Sequence, residues 1–174
     1  MRVIDGDTDL VAFGIGTMGS RSTVIGGSAL YFAAEKIIAK AKTIAAHLLE
    51  TSAVDIEFSD GTFSVVGTDR SVSLTDVAKA SFTPARLPKG TEPGLFETAT
   101  FAPEDDTYPN GSHVCEVEID PDTGMTEVVG YWVVDDVGTM INPVIVKGQI
   151  HGGVAQGIGQ ALAEQVVYDP ESGQ

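Results

Sequence analysis

Sulfur and positive charge are both scarce in this sequence. Cys115 is the only cysteine among 174 residues, so no internal disulfide, four-cysteine zinc site or iron–sulfur cluster can be built from the chain itself. Lys and Arg number 10 against 25 Asp and Glu, a formal charge of −15, which repels nucleic acid and anionic membrane surfaces. No apolar run approaches the roughly 18–20 residues needed to span a bilayer. The start, MRVIDGDTD, has neither the basic patch nor the apolar stretch of an export signal. These absences imply a cytoplasmic protein in a reducing compartment, with no nucleic-acid partner and no membrane span. A phosphorylated ligand stays compatible with the acidic charge where backbone N–H groups and a local Arg face it, because those fields act at short range.

What is present is enough apolar material, 43% of the residues, to fill a core. Residues 1–4 are expected to end a strand. From Asp5 to Gly27 runs a loop with six glycines and Arg21, too long for a simple connector and therefore functional, since Val11, Phe13, Ile15 and Met18 argue against disorder. Leu30, Ala34, Ile37, Ala41, Ile44 or Ala45, and Leu48 then recur at helical spacing, which predicts a helix over 28–50 with Ser28 as N-cap. Alternation at Val54, Ile56 and Phe58 and at Phe63 and Val65, around the turn signal Asp60-Gly61, predicts a hairpin over 53–66. A short strand at Val72 and Leu74, a short helix capped by Thr75, and a Pro-containing linker over 81–96 follow.

In the second half, strands are expected at 97–102, 113–119 and 126–135, the last two joined by the turn Pro121 to Gly124. A Gly-rich helix from about Val146 to Glu164 and a strand start at Gln165–Tyr168 complete the pass. The final DPESGQ reads as a hairpin turn without its returning strand, so the sequence is expected to be cut from a longer protein at that end. The implied class is α+β, a helix on a small mixed sheet in 1–80 and a second sheet-plus-helix lobe, truncated, in 97–174.

Two glycine-rich segments carry the functional signal. Gly14, Gly16 and Gly19 fit the dinucleotide pattern G-x-G-x-x-G, yet no strand is expected to run directly into it and no helix to open within it, which weakens that reading. The favoured reading is a polar nest in which Thr17, Gly19, Ser20, Arg21 and Ser22 present N–H groups, hydroxyls and a guanidinium to an anion such as phosphate. The second segment, Gly148 to Gln160, places small residues at helical spacing, open either to close helix packing or to a flat ligand. Gln149, Gln156 and Gln160 on related turns offer amide donors and acceptors to a heterocycle edge. His47, His113 and His151 lack metal-like neighbours and read as packed or surface residues. Glu104-Asp105-Asp106 and Asp135-Asp136 read as turn and strand-end carboxylates, and Cys115 as a buried small side chain.

Taken in order, GDTDLVAFGIGTMGSRSTVIGGSA, HVCEVEIDPDTG, DVGTMINPVIVKGQIHGGVAQGIGQAL and VVYDPESG resemble the large subunit of the molybdenum hydroxylases, the xanthine dehydrogenase and aldehyde oxidase family, nearest to its aerobic carbon monoxide dehydrogenase branch. The resemblance implies a molybdopterin cofactor, often as its cytosine dinucleotide, buried between loops of two lobes. It places Thr17, Gly19, Ser20 and Ser22 at the first pterin loop, Gln156 at the second, and Asn142 and Gln149 near the dinucleotide end. It further implies oxidation of an aldehyde, an N-heterocycle or carbon monoxide with oxygen from water, and electron exit through an iron–sulfur subunit and an FAD subunit, often in a dimer of heterotrimers. The family's catalytic glutamate would lie beyond residue 174, so no catalytic or metal-ligating residue is assigned here and the fragment alone is expected to be inactive. A non-catalytic scaffold or cofactor-insertion module of the same fold is the alternative.

Overall fold

The computed structural model describes residues 2–11, 13, 14 and 16–174. The chain divides into two compact units, Met1–Thr107 and Tyr108–Gln174. Both combine helix with antiparallel strands, which is the expected α+β class.

The first unit is organised by helix α1, Ser28–Leu48, whose Ala41, Ile44, Ala45 and Ala46 are buried. That spacing is one face of a helix, and it covers the three strands β1 (Ile56–Ser59), β2 (Thr62–Val65) and β3 (Ser71–Ser73) together with helix α2 (Leu74–Ala80). The sheet runs β1-β2-β3 and is antiparallel throughout rather than mixed. Phe63, Ile44 and Val77 are fully buried at its centre, with the Phe58 ring 4.5 Å from that of Phe63. Asp60 and Gly61 both take positive φ, 47° and 77°, the type I′ geometry that the hairpin reading requires.

Several boundaries differ from those expected, each for a local reason. Helical winding starts at Ser22, passes through a π-helical turn, Thr23–Gly27, and continues into α1. Ser28 is an interior residue, not an N-cap: its φ and ψ are −66° and −42°, and its N–H is taken by the carbonyls of Val24 and Ile25. α2 is capped by Ser73 rather than Thr75. Ser73 Oγ accepts from Asp76 N–H at 3.1 Å and donates to Asp76 Oδ2 at 2.8 Å.

The segment expected as a linker is packed against the first unit. Leu87 and Leu95 rest against its core and Gly94 N–H donates to the Ser81 carbonyl at 2.8 Å, so the division of the chain falls later, after Thr107. Residues 2–4, 97–102 and 165–168 form no strand. An extended segment becomes a strand only where a neighbour completes the ladder, and 97–102 instead runs along α1, with Lys36 Nζ donating to the Thr98 carbonyl at 2.8 Å.

The Ser73 cap gives a first expected result. Ser73→Ala should cost the first unit about 1 kcal/mol, the usual value of an N-cap, read by chemical denaturation. The Ser73 hydroxyl, and then Lys79, hold the Asp76 carboxyl below its ordinary 3.8. A depressed folded value means that this contribution is present above pH 3.8 and disappears as pH falls through the lowered value. Ser73→Ala should therefore narrow the stability gap between neutral and strongly acidic solution.

In the second unit, β4 (Asn110–Ile119) pairs antiparallel with β5 (Thr126–Asp136). The connecting turn is held by Asp120, whose Oδ1 accepts the N–H groups of Asp122 and Thr123 at 2.8 and 2.9 Å. The register slips between Glu116, opposite Gly130, and Val117, opposite Val128, so Val129 is the extra residue of a β-bulge. Helix α3 covers Pro143–Leu162. It starts before Val146 because Asn142 caps it and Pro143 sits at its first position. The described core residues all belong to the first unit. Cys115, expected to be buried, is exposed.

Candidate functional site

The first glycine loop folds back on itself immediately before the helical run. Gly16, Gly19 and Ser20 have φ of 73°, 62° and 58°. Ser20 thus holds a left-handed conformation that costs a residue with a Cβ roughly 1 kcal/mol, and Gly19 takes the same conformation without that cost. Thr17 Oγ1 and Ser22 Oγ form a hydrogen bond across the loop, and Arg21 Nη2 donates to the Gly16 carbonyl at 3.1 Å. Ile15, in the same segment, lies outside the described residues.

The five residues read from the sequence, Thr17, Gly19, Ser20, Arg21 and Ser22, are therefore gathered in one turn. Part of their polar capacity is internal, since the Thr17 and Ser22 hydroxyls face each other and one end of the guanidinium closes the loop. Two donor groups are left over. Among the described residues Arg21 Nε is buried with no hydrogen-bond partner, and the first N–H groups of the helical run have none within the helix, the earliest bond being Ile25 N–H to the Arg21 carbonyl at 2.9 Å. Both suit an anion. No described strand leads into Gly14 to Gly19 and the helical run opens only at Ser22, so the strand–turn–helix of a nicotinamide dinucleotide fold is missing.

On α3, Gly153, Gly157 and Ala161 line an open groove with His113, Cys115 and Tyr131 of the sheet, and a Cβ added to either glycine would meet nothing within 4 Å, so the approach of helix to sheet does not require them. Gln149, Gln156 and Gln160 form an adjacent stripe and are exposed, two turns separating Gln149 from Gln156. Gly152 lies beside that glutamine stripe and Gly148 further round the helix, and a Cβ added to either would likewise meet nothing within 4 Å. The backbone there is open to a flat ligand.

Asn142 has a structural task. Its Oδ1 accepts the N–H groups of Val144 and Ile145 at 3.1 and 3.3 Å, leaving its amide N–H₂ to donate outward. Asn142→Ala should remove the cap at a cost of about 1 kcal/mol, while Asn142→Asp should keep it. A ligand role for the amide donor would be seen as loss of ligand in Asn142→Asp with α3 intact by circular dichroism.

One constellation was not read from the sequence. His113 stands between Tyr131 Oη, 3.2 Å from its Nδ1, and Asp135 Oδ1, 3.3 Å from its Nε2. His113 is opposite Val133, which makes Tyr131 and Asp135 its two diagonal neighbours on that face. Only the bulge at Val129 creates this register. Among the described residues, no three His, Cys, Asp or Glu converge as a metal site.

The molybdopterin cofactor-binding domain family matches residues 1–174 in full. The chain belongs to this family. As a molybdopterin cofactor-binding domain it is 41% identical to the carbon monoxide dehydrogenase large chain of Hydrogenophaga pseudoflava, over 98% of this chain and 21% of that one. It is 46% identical to the nicotine 6-hydroxylase large subunit of Paenarthrobacter nicotinovorans, over 91% of this chain and 20% of the relative. Its fold matches the crystal structure of a Cu,Mo-CO dehydrogenase with a TM-score of 0.80 at 40% identity, covering 93% of this chain and 20% of that chain. Quinoline 2-oxidoreductase from Pseudomonas putida 86 matches with a TM-score of 0.76 at 42% identity, over 91% and 20% of the two chains. This molybdopterin-binding domain thus spans about a fifth of the length of these relatives. None of its described helices is long and apolar enough to cross a membrane.

Proposed function

We propose that this chain supplies cofactor contacts to a molybdenum hydroxylase that oxidises an aldehyde, an N-heterocycle or carbon monoxide with oxygen drawn from water. The observation that carries the proposal is the Arg21 Nε donor, buried and without a hydrogen-bond partner among the described residues. A buried donor without an acceptor is unfavourable by about 1–3 kcal/mol, and a phosphate oxygen or a pterin carbonyl would supply the missing acceptor.

When bound, a molybdopterin supplies the metal, its redox change and the oxygen transfer. The chain's own residues do the holding. In the loop, Ser20, Arg21 and Ser22 direct N–H groups and a guanidinium at the anionic part of the cofactor, and the positive φ of Gly19 and Ser20 fixes the turn that does so. On α3, Gln149 and Gln156 hydrogen-bond heterocycle edges, while Gly148 and Gly152 let the ring system lie against bare backbone. The outward N–H₂ of Asn142 suits a nucleotide carbonyl, which is compatible with the cytosine dinucleotide form that the sequence resemblance implies. Electrons leave through an iron–sulfur subunit and an FAD subunit in a cytoplasmic hetero-oligomer. The named homologues support this arrangement, one of them being the gamma subunit of a 6-hydroxypseudooxynicotine dehydrogenase complex. No residue of this chain is assigned as the catalytic base.

The test uses the full-length subunit purified with its partners. Gln156→Ala should lower molybdenum per subunit several-fold, and Gln156→Glu should do the same by turning the amide donor into an acceptor and adding negative charge. Wild-type molybdenum with wild-type turnover in both variants would overturn the α3 assignment.

A further inference from the structure

The helical run behind the cofactor loop begins in an unusual form. Thr23–Gly27 make a π-helical turn, and α1 follows without a break. π turns are rare, hold one residue more than an α turn, and concentrate at functional sites. This one contains Gly26 and Gly27, the weakest helix formers apart from Pro.

Neither glycine is explained by its backbone or its surroundings. Gly27 has φ −63° and Gly26 is not among the glycines of positive φ, so both adopt conformations open to any residue. A Cβ on Gly26 would meet nothing within 4 Å, and one on Gly27 only the Thr23 methyl at 3.8 Å. There is room for a side chain at both positions and none is present.

We infer that Gly26 and Gly27 are positioning residues, which keep this segment in the π form and so set the rotation at which loop residues 17–22 meet α1. Each residue of an α-helix turns the chain by about 100°, so winding the same residues as α would rotate Ser22 and the preceding loop by about that angle around the helix axis. α1 cannot turn to compensate, because Ala41, Ile44 and Ala45 are fixed in the core. Alanine stabilises α-helix more than glycine does, by losing less backbone entropy. Gly-Gly leaves the π turn free of that bias.

The inference rests on residues 17–22 being a cofactor loop, and its test separates the two. Gly26→Ala and Gly27→Ala are made singly in the full-length subunit with its partners, and each is read by molybdenum per subunit and by amide hydrogen exchange over 22–28. Both variants should fold and assemble, exchange more slowly over 22–28, and lose more than half of the wild-type molybdenum. Slower exchange with full molybdenum in both would overturn the inference. So would unchanged exchange in both, whatever the molybdenum content, or molybdenum loss in only one variant, which would mark a contact at that position. If wild-type protein itself held no molybdenum, the cofactor reading would fall, and the exchange result would still decide whether the glycines keep the π form.

Discussion

Arg21→Ala in the full-length subunit should remove most of its molybdenum, a loss of ten-fold or more in retained cofactor. Hydrogen bonds to a charged group contribute about 1.5–3 kcal/mol, or roughly ten- to one-hundred-fold in affinity, and Arg21 has one guanidinium nitrogen, Nε, held in a buried position with no acceptor among the described residues. The same side chain ties the loop shut through the Gly16 carbonyl, so truncation removes both a donor toward the ligand and the clasp that aims it. Arg21→Lys should rescue little. Lysine keeps the charge but has no Nε–H and no planar fork able to reach the Gly16 carbonyl and a ligand oxygen together. Elemental analysis of the two variants checks this, with circular dichroism and subunit assembly as controls. Wild-type molybdenum in Arg21→Ala would remove the loop from the cofactor assignment.

Phe63→Ala should unfold the first unit or leave it severely weakened. Phe63 is fully buried, its ring is 4.5 Å from that of Phe58, and it shares the core with Ile44 of α1 and Val77 of α2. Removing a buried aromatic ring leaves a cavity and typically costs about 3–5 kcal/mol, a large share of the stability of an ordinary domain. The described core is small, nine buried hydrophobic residues with four of them alanine, so few neighbours can move in to fill the space. Limited proteolysis and amide exchange should show residues 28–95 opening together, with cofactor loss as a consequence because α1 anchors the loop. Unchanged protection across α1 and β2 would contradict the description of this core.

The elements that were legible in the sequence are those with a local cause. α1 announced itself by its apolar stripe, the β1–β2 hairpin by alternation around Asp60-Gly61, and β4 and β5 by long alternating runs. The segments at 2–4, 97–102 and 165–168, expected as strands, form none because a short run of residues suited to an extended backbone does not report the presence of a pairing strand. Ser28 and Thr75 were misread as caps for a different reason: in each case residues just upstream already had helical or capping geometry, Thr23–Gly27 through the π turn and Ser73 through its bond to Asp76. Cys115 was expected inside because it alternates with Val117, yet the groove on that face is open.

Of the proposed site, the sequence made legible the segments and not their geometry. Thr17 to Ser22 are close in sequence and needed no long-range information, and the glutamine stripe of α3 follows from helical spacing alone. The internal pairing of Thr17 with Ser22 was not legible, since a hydroxyl can turn toward a ligand or a neighbour with equal ease. Nor was the His113–Tyr131–Asp135 arrangement, which depends on a one-residue bulge that changes the facing partner of every residue beyond it.

The measurement that bears most directly on the cofactor assignment is metal and nucleotide analysis of the full-length subunit purified with its neighbouring subunits. Elemental mass spectrometry should find molybdenum approaching one atom per subunit, and acid release should yield cytidine monophosphate in matching amount. Folded, intact protein carrying neither molybdenum nor a pterin nucleotide would contradict the assignment and leave the chain as a scaffold that keeps the fold without the chemistry.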